Sequence, residues 1–439
     1  MDRRRCLQRF ASLAACSSLS SFPTGIPRRA AAADPPTIEN AAIATDVCTT
    51  DARIRGMLLG SLIGDALGGP IEFAPSDRVA SILPNARGWP DGKRLNAKTR
   101  NELAKSLQLN SYVELRPDTA PYGPWVAKAP AGTITDDSRH KIVYLRALRT
   151  VRKNGGNRVQ PADFARALID FQPHPDVEPS ADLQALIDEG MREYRYAAEW
   201  VLGNRDESEA LPVERLWAGI SNCSGQMALL PIAAIFPGSP ERAYRETFAV
   251  DFIDAPLARD IVSGLNAGLA AALDPELRTS AASERWKALL KAMRETDPFR
   301  LADVPFAGRP LRSWLERATS MAQAAEGQPK RLYEMLEKDG KPVYYWDAHF
   351  TLLVPLAILH LCDFDPLASM NLVLDFGHDS DSYAQVLGAM IGAVYGEDVF
   401  PGSMAAAVSA TLQEDYGESI DRWHTELVAA AKVWSNENP

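Results

Sequence analysis

Apolar residues recur along this chain with a helical period, and alternating strand patterns are nearly absent. The clearest run is Arg53 to Leu67, largely apolar, with Gly56, Gly60, Gly64 and Gly68 at every fourth position. The same spacing returns at Gly388, Gly392 and Gly396. A spacing of four lines these glycines along one slowly drifting helix face. Glycine inside a helix costs about 1 kcal/mol against alanine, so these positions predict close backbone approach. Two smooth helices packed on each other in the core are expected. In a membrane such ridges mark helix dimers, but these segments hold too many polar residues to span one.

Further helices are predicted over Ile142 to Val151, closed by Gly155-Gly156, and over Ala181 to Trp200. Others follow at Ala258 to Leu273, Trp286 to Met293, Leu352 to Leu361 and Asp421 to Trp434. Lys341 to Tyr345 is a candidate short strand. Residues 82–131, rich in Pro, Gly, Asn and Lys, predict a long excursion between helices. The expected architecture is all-α: one helical domain over residues 53–439 with surface insertions, preceded by a linker over residues 34–52.

Composition supports a folded body: 46% hydrophobic and 24% charged residues can fill a sizeable core. The net charge of −10 understates the acidity of most of the chain. Residues 1–33 carry six Arg against one Asp, leaving −15 for the rest. No basic face for nucleic acid is expected. That first segment reads as an address. Arg3-Arg4-Arg5-Cys6-Leu7-Gln8 is similar to a twin-arginine export motif, with Cys6 and Gln8 in place of the usual Phe and Lys. A weakly apolar stretch, Arg28 and Arg29, and then Ala30 to Ala33 complete a signal-peptide pattern that predicts a periplasmic protein. Two competing readings stay open: a lipobox at Leu13-Ala14-Ala15-Cys16, which would anchor Cys16 to lipid, and a basic cytosolic tail. After cleavage Cys48, Cys223 and Cys362 remain, which gives neither a disulfide framework nor a zinc signature and does not choose a disulfide pair.

The chemistry concentrates in two runs about 240 residues apart, Thr135-Asp136-Asp137-Ser138 and Asp379-Ser380-Asp381-Ser382. Each stands at a predicted helix start. Carboxylates and hydroxyls are hard oxygen ligands, suited to Mg²⁺ or Mn²⁺ and poorly suited to zinc. Either run alone is also ordinary helix N-cap chemistry. The glycine helices give a reason for the two runs to meet, since each borders one of the polar motifs. Together they would form a two-metal site able to activate a water.

With Gly64-Asp65-Ala66-Leu67-Gly68, Glu72-Phe73 and Gly132 added in order, the chain resembles the ADP-ribosylglycohydrolase family from about Arg53 to the Pro401 region. The family's usual motifs are G-D-A-L-G-x-x-x-E, T-D-D-T, a central N-G-x-x-M-R…P and G-D-T-D-T. The resemblance implies an all-α orthogonal bundle and a centre of two Mg²⁺ ions, with Mn²⁺ as the alternative. It further implies hydrolysis of a glycosidic bond to ADP-ribose, on a small molecule or an ADP-ribosylated protein. The implied metal ligands are Thr135, Asp136, Asp137, Asp379, Asp381 and Ser382. Asp137 and Asp379 double as catalytic candidates, and Glu72 is a candidate for substrate positioning or acid–base work. A solvated loop carboxylate is the plain alternative for Glu72.

Departures from the family pattern bear on substrate. Ser138 and Ser382 replace Thr and keep the hydroxyl. His378 replaces Gly, as either a substrate contact or a histidine bonded to backbone at the helix entry. The central segment Ser221-Asn222-Cys223-Ser224-Gly225-Gln226-Met227 keeps Pro231 four residues beyond Met227, while Gln226 and Ala228 stand where a small residue and Arg are usual. The resemblance implies substrate contacts from Asn222, Ser224, Gly225 and His378, with a substrate that can differ from ADP-ribosyl-arginine. Cys223 has no local cysteine-protease signature and reads as a small structural residue. Tyr344, Tyr345, Trp346, Asp347 and His349 either stack a nucleobase or pack under the surface. A non-catalytic binding or structural member of the same fold, and an enzyme for another ribosyl compound, are the alternatives. Retention of the four aspartates and Glu72 argues against the first.

Overall fold

The computed structural model describes residues 48–83, 88–116, 125–178, 181–304, 308–339 and 345–437. The signal-peptide expectation, the lipobox at Cys16, most of the linker and Tyr344 lie outside the described residues. The predicted all-α class holds. The first glycine helix, Thr50–Gly68, starts earlier than expected because Thr49 is its N-cap, accepting the Ala52 N–H at 3.1 Å. It is buried on nearly every side, as a helix apolar all round must be. The second, Ser380–Tyr395, is equally enclosed.

These two helices lie against each other along their glycines. A Cβ on Gly392 would collide with the Gly56 carbonyl, one on Gly388 with the Gly60 carbonyl, and one on Gly64 with the Ala384 carbonyl. The partners descend along one helix as they ascend along the other, so the pair is antiparallel. This contact sets Gly68, at the end of the first helix, against Ser380 and Asp381 at the start of the second.

The helix Asp136–Lys153 is tied in by its exposed-side arginines. Arg146 and Arg149 both donate to the buried carboxylate of Glu418, each within 3 Å. The predicted helices reappear as Ala181–Val201, Pro256–Ala272, Ala282–Glu295, Ala348–Leu361 and Ile420–Glu437. Pattern reading passed over Pro161–Ile169, Pro240–Val250, Pro310–Ala324 and Pro366–Phe376. Each begins with proline in its first turn, where the missing N–H costs nothing and φ is already helical.

The excursion at 82–131 is more ordered than its composition suggests. It holds a helix, Ala97–Ser106, whose N-terminus is closed by a reciprocal Asn96–Thr99 capping box. It also holds an antiparallel hairpin in which Tyr112–Arg116 pairs with Trp125–Ala129, Tyr112 opposite Ala129. The expected strand at Lys341 to Tyr345 lies outside the described residues but for Tyr345, which stands in a turn. Cys48, Cys223 and Cys362 are free thiols. Among the described residues no helix is long and apolar enough to cross a membrane.

Candidate metal centre

The two acidic runs meet. Thr135 Oγ1 lies 3.0 Å from Asp381 Oδ2, and Ser382 Oγ donates to Asp137 Oδ1 at 3.0 Å. At neither helix start does an aspartate side chain make the capping hydrogen bond. Thr135 is the N-cap of its helix, its hydroxyl accepting the Asp137 N–H at 3.3 Å, so Asp136 and Asp137 fall in the first turn. Asp379 occupies the N-cap position of the second glycine helix, yet its side chain makes no capping hydrogen bond.

Glu72 reaches the same place by a backbone clasp. Phe73 N–H donates to the His378 carbonyl and His378 N–H to the Ala74 carbonyl, both at 2.6 Å. This bridge fastens the Glu72 loop to the residue before Asp379. Both Phe73 and His378 have left-handed backbones, φ 63° and 61°. A non-glycine residue there carries strain, which gives a physical reason for the glycine usual at position 378 in the resembling family. The His378 ring is held by side chains. It stacks on Tyr345 at 3.8 Å, and Nε2 pairs with Glu337 at 3.0 Å.

Carboxylate oxygens of Glu72, Asp379 and Asp381 lie within 4.8 Å of one another, and so do those of Asp136, Asp137 and Asp381. Asp381 belongs to both triplets, so two neighbouring cations would share it as a ligand. Its Oδ1 is buried without a hydrogen-bond partner. Burial and the charges of Glu72, Asp137, Asp379 and Asp65 push the Asp381 carboxyl well above the usual range. Burial pushes Asp137 up likewise, helped by Asp65, Asp136 and Asp379. Buried, mutually repelling and partly unpartnered hard oxygens are what a divalent cation satisfies.

Sequence reasoning missed several members of this centre. Asp65, within the quoted Gly-Asp-Ala-Leu-Gly segment, is fully buried; its Oδ1 accepts the Thr135 N–H at 2.9 Å and the Thr135 hydroxyl at 2.7 Å, while Oδ2 has no partner. Lys141 is buried one turn beyond Asp137, and its pKa is lowered to about 8 by burial against the pull of the surrounding aspartates. Cys223 also touches the centre, with Sγ 3.4 Å from Ser382 Oγ and 3.9 Å from Asp379 Oδ2. Burial, then Asp379 and Asp137, hold that thiol well above its ordinary value.

The expected substrate loop is occupied with its own hydrogen bonds. Asn222 Oδ1 accepts the Ser224 N–H at 3.2 Å and its hydroxyl at 2.8 Å, and Tyr194 shares that hydroxyl at 2.9 Å. Gly225 N–H donates to buried Asp254 at 3.1 Å, where any Cβ would run into the carboxylates of Asp254 and Asp251. Trp346 meets the half-exposed ring of Phe73 edge-on at 6.1 Å, beside Glu72. Asp347 caps the following helix and pairs with His349, which stacks on Trp314 at 4.1 Å.

No curated protein is significantly similar to the chain. A solved structure described as an ADP-ribosylglycohydrolase-related protein complex is 18% identical, with a TM-score of 0.48 over 88% of this chain and 98% of that one. The profile of the ADP-ribosylglycohydrolase family matches residues 48–437, nearly the whole of the described body, and the chain belongs to that family.

Proposed function

We propose that the protein is a metal-dependent hydrolase of a glycosidic bond to ADP-ribose, in an ADP-ribosylated protein or a related ribosyl compound. The observation that carries this reading is the meeting of the distant acidic runs, with Asp381 common to two carboxylate triplets. Asp136, Asp137, Asp379 and Asp381, with Thr135 and Ser382, are the residues that would hold two Mg²⁺ or Mn²⁺ ions. When bound, such ions supply Lewis acidity toward the ribose hydroxyls and a neighbouring water.

The chain's own residues do the rest. Glu72, partly exposed at the mouth of the cluster, is the group placed to take a proton from water or give one to the leaving group. Asp137 and Asp379 orient the reacting face and keep it negative, matching the positive charge that develops on the ribose. The clasp between residues 73–74 and 378 keeps Glu72 in register with Asp379.

A release assay with Mg²⁺ or Mn²⁺ tests the proposal across ADP-ribosyl-arginine, ADP-ribosyl-serine, O-acetyl-ADP-ribose and simple ribosides. Turnover of at least one, lost on chelation, is expected. Metal binding without turnover of any would favour the non-catalytic alternative. We also propose export by the twin-arginine route, on the leader sequence alone. Lysine in place of both Arg3 and Arg4 should trap the precursor in the cytoplasm, and unchanged export would refute it.

A further inference from the structure

The link between the helices Pro240–Val250 and Pro256–Ala272 carries two aspartates, Asp251 and Asp254, only 0% and 1% exposed. Their first oxygens are held by backbone. Asp251 Oδ1 accepts the N–H groups of Ile253 and Asp254, both at 3.2 Å, and Asp254 Oδ1 accepts the Gly225 N–H at 3.1 Å. Their second oxygens are not: among the described residues, Asp251 Oδ2 and Asp254 Oδ2 receive no hydrogen bond from any N–H or hydroxyl. Both face the same point. A Cβ on Gly225 would stand 2.4 Å from Asp254 Oδ2 and 3.0 Å from Asp251 Oδ2. The next neighbour of that point is the Val262 Cγ1 methyl, also at 3.0 Å, a wall that suits no hydrated cation. The two side chains lie within hydrogen-bond reach of each other, and two carboxyl groups hydrogen-bond only through a proton on one of them. Two full charges at this depth would repel strongly, whereas one proton between them removes half the charge and satisfies both orphan oxygens. Burial raises both carboxyls, Asp251 to about 6 and Asp254 well above its ordinary value, the latter helped by the charge of Asp251. Two other titratable groups face the pair: Arg259 on the following helix, which favours the ionised forms, and the buried Cys223 thiol.

We propose that Asp251 and Asp254 share one proton between their Oδ2 atoms, and that this acid–carboxylate bridge latches the central turn Ser224–Ala228 against the acidic centre. Asp254 carries the proton and Asp251 accepts the hydrogen bond. The latch grips the turn through the Gly225 N–H, at a position where no side chain fits. The residue before the turn, Cys223, stands beside Asp379 and Ser382, and within it the Gln226 carbonyl accepts Gln385 Nε2 from the second glycine helix at 3.2 Å. Loss of the proton leaves two buried charges under the turn and loosens Asn222, Ser224 and Gly225, the expected substrate contacts. Asp251 and Asp254 are thus positioning residues. The consequence for substrate rests on the proposed hydrolase; the shared proton does not.

The test uses the full chain and three variants, D251N, D254N and D251N/D254N, melted across a pH series. Asn keeps an oxygen for the backbone N–H groups and turns its NH₂ toward the partner's Oδ2, so either single variant replaces the shared proton with a permanent donor. Each should melt close to wild type at about pH 6, and a gap in favour of D254N should widen toward about pH 9 as wild type loses the proton. The carboxyls of the metal centre are common to both proteins and cancel in that gap. The double variant sets NH₂ against NH₂ with no acceptor between them. It should melt at least about 5 °C below either single variant. A double variant no worse than the sum of the singles, single variants that fall as far as the double, or a gap that does not change with pH overturns the shared proton. Calorimetric titration with ADP-ribose in Mg²⁺ reads the substrate claim. Wild-type affinity should fall about tenfold over the same pH range while D254N holds its affinity. Equal pH dependence in the two proteins overturns the latch on the turn. Absence of ADP-ribose binding in wild type and variants alike overturns the hydrolase reading and the substrate claim with it, and the melts still decide the shared proton.

Discussion

Ser382 donates its hydroxyl to Asp137 at 3.0 Å across 245 residues of chain. The bond joins the first turn of the second glycine helix to the first turn of the helix after Thr135. Ser382→Ala should therefore leave the fold intact while loosening Asp137. We expect weaker Mn²⁺ binding with a melting temperature close to that of wild type in the metal-free protein, measured by calorimetric titration and scanning calorimetry. Unchanged affinity would show that the hydroxyl neither ligates nor positions.

The glycine ridges put a second prediction on the fold itself. Leu at Gly392 or Gly60 must displace the opposing backbone, and overpacking of that kind costs roughly 3 kcal/mol. Metal affinity should fall in parallel, because the same contact aligns Gly68 with Asp381. Gly402→Ala is the control: nothing lies near a Cβ there, so it should be almost silent in denaturant melts.

Cys223 is predicted to be inert as a nucleophile. Its thiol is buried and held protonated, so alkylation by iodoacetamide should proceed only as the protein unfolds. Cys223→Ser should keep most activity, since it preserves size and a polar contact to Asp379 and Ser382. Cys223→Phe should abolish metal binding by filling the space beside them. Rapid native alkylation would contradict this account.

The sequence made the glycine contact legible because every fourth residue was small on two separate helices, which close helix packing requires and chance seldom produces. It also made Asp136, Asp137, Asp379 and Asp381 legible as one centre, once that contact supplied proximity. Asp65 and Lys141 were hidden by their setting. One sits in the last turn of a largely apolar helix and the other three residues past a motif, where local spacing says nothing about what lies across the core. His378 was legible as a departure, yet its role depends on Glu337 and Tyr345, which only the tertiary fold brings alongside. The helices that open on Pro161, Pro240, Pro310 and Pro366 carry their signal in punctuation rather than in period.

The metal-free protein should lose stability as pH rises. Burial and mutual repulsion raise Asp137 and Asp381 above their ordinary value of 3.8, and Asp251 is raised by burial to about 6. A carboxyl raised in the folded state adds stability that is complete below its unfolded value and lost as pH climbs through the folded one. Glu418 runs the other way: its arginine partners lower it, so its contribution is lost as pH falls through the folded value. Lys141, lowered to about 8, disfavours the fold below its unfolded value, and that cost is constant well below its folded one. Between roughly pH 5 and 7 the raised carboxyls dominate, and the melting temperature should drop. Saturating Mn²⁺ should flatten the profile, because the cation takes the place of the protons. A metal-free profile that rises across this window would refute the assignment.

Asp381→Asn and Asp137→Asn decide whether the acidic runs are a centre or a pair of helix starts. Each aspartate is buried among like charges, with Asp381 Oδ1 unpartnered and Asp137 reached by Ser382. Removing one charge relieves repulsion and burial cost, so either metal-free variant should be as stable as wild type or more so. Divalent binding should weaken sharply, since one ligand has lost its charge, and most activity should go with it. Asp381→Asn should have the larger effect on stoichiometry, because Asp381 belongs to both carboxylate triplets. A capping role predicts otherwise: Asn caps as well as Asp, and both substitutions would be nearly silent for metal and activity. Mn²⁺ titration of wild type and the two variants, with metal-free melts alongside, separates the accounts. Equal affinity and stoichiometry in all three proteins would return these residues to helix-start chemistry and remove the basis for a metal-dependent hydrolase.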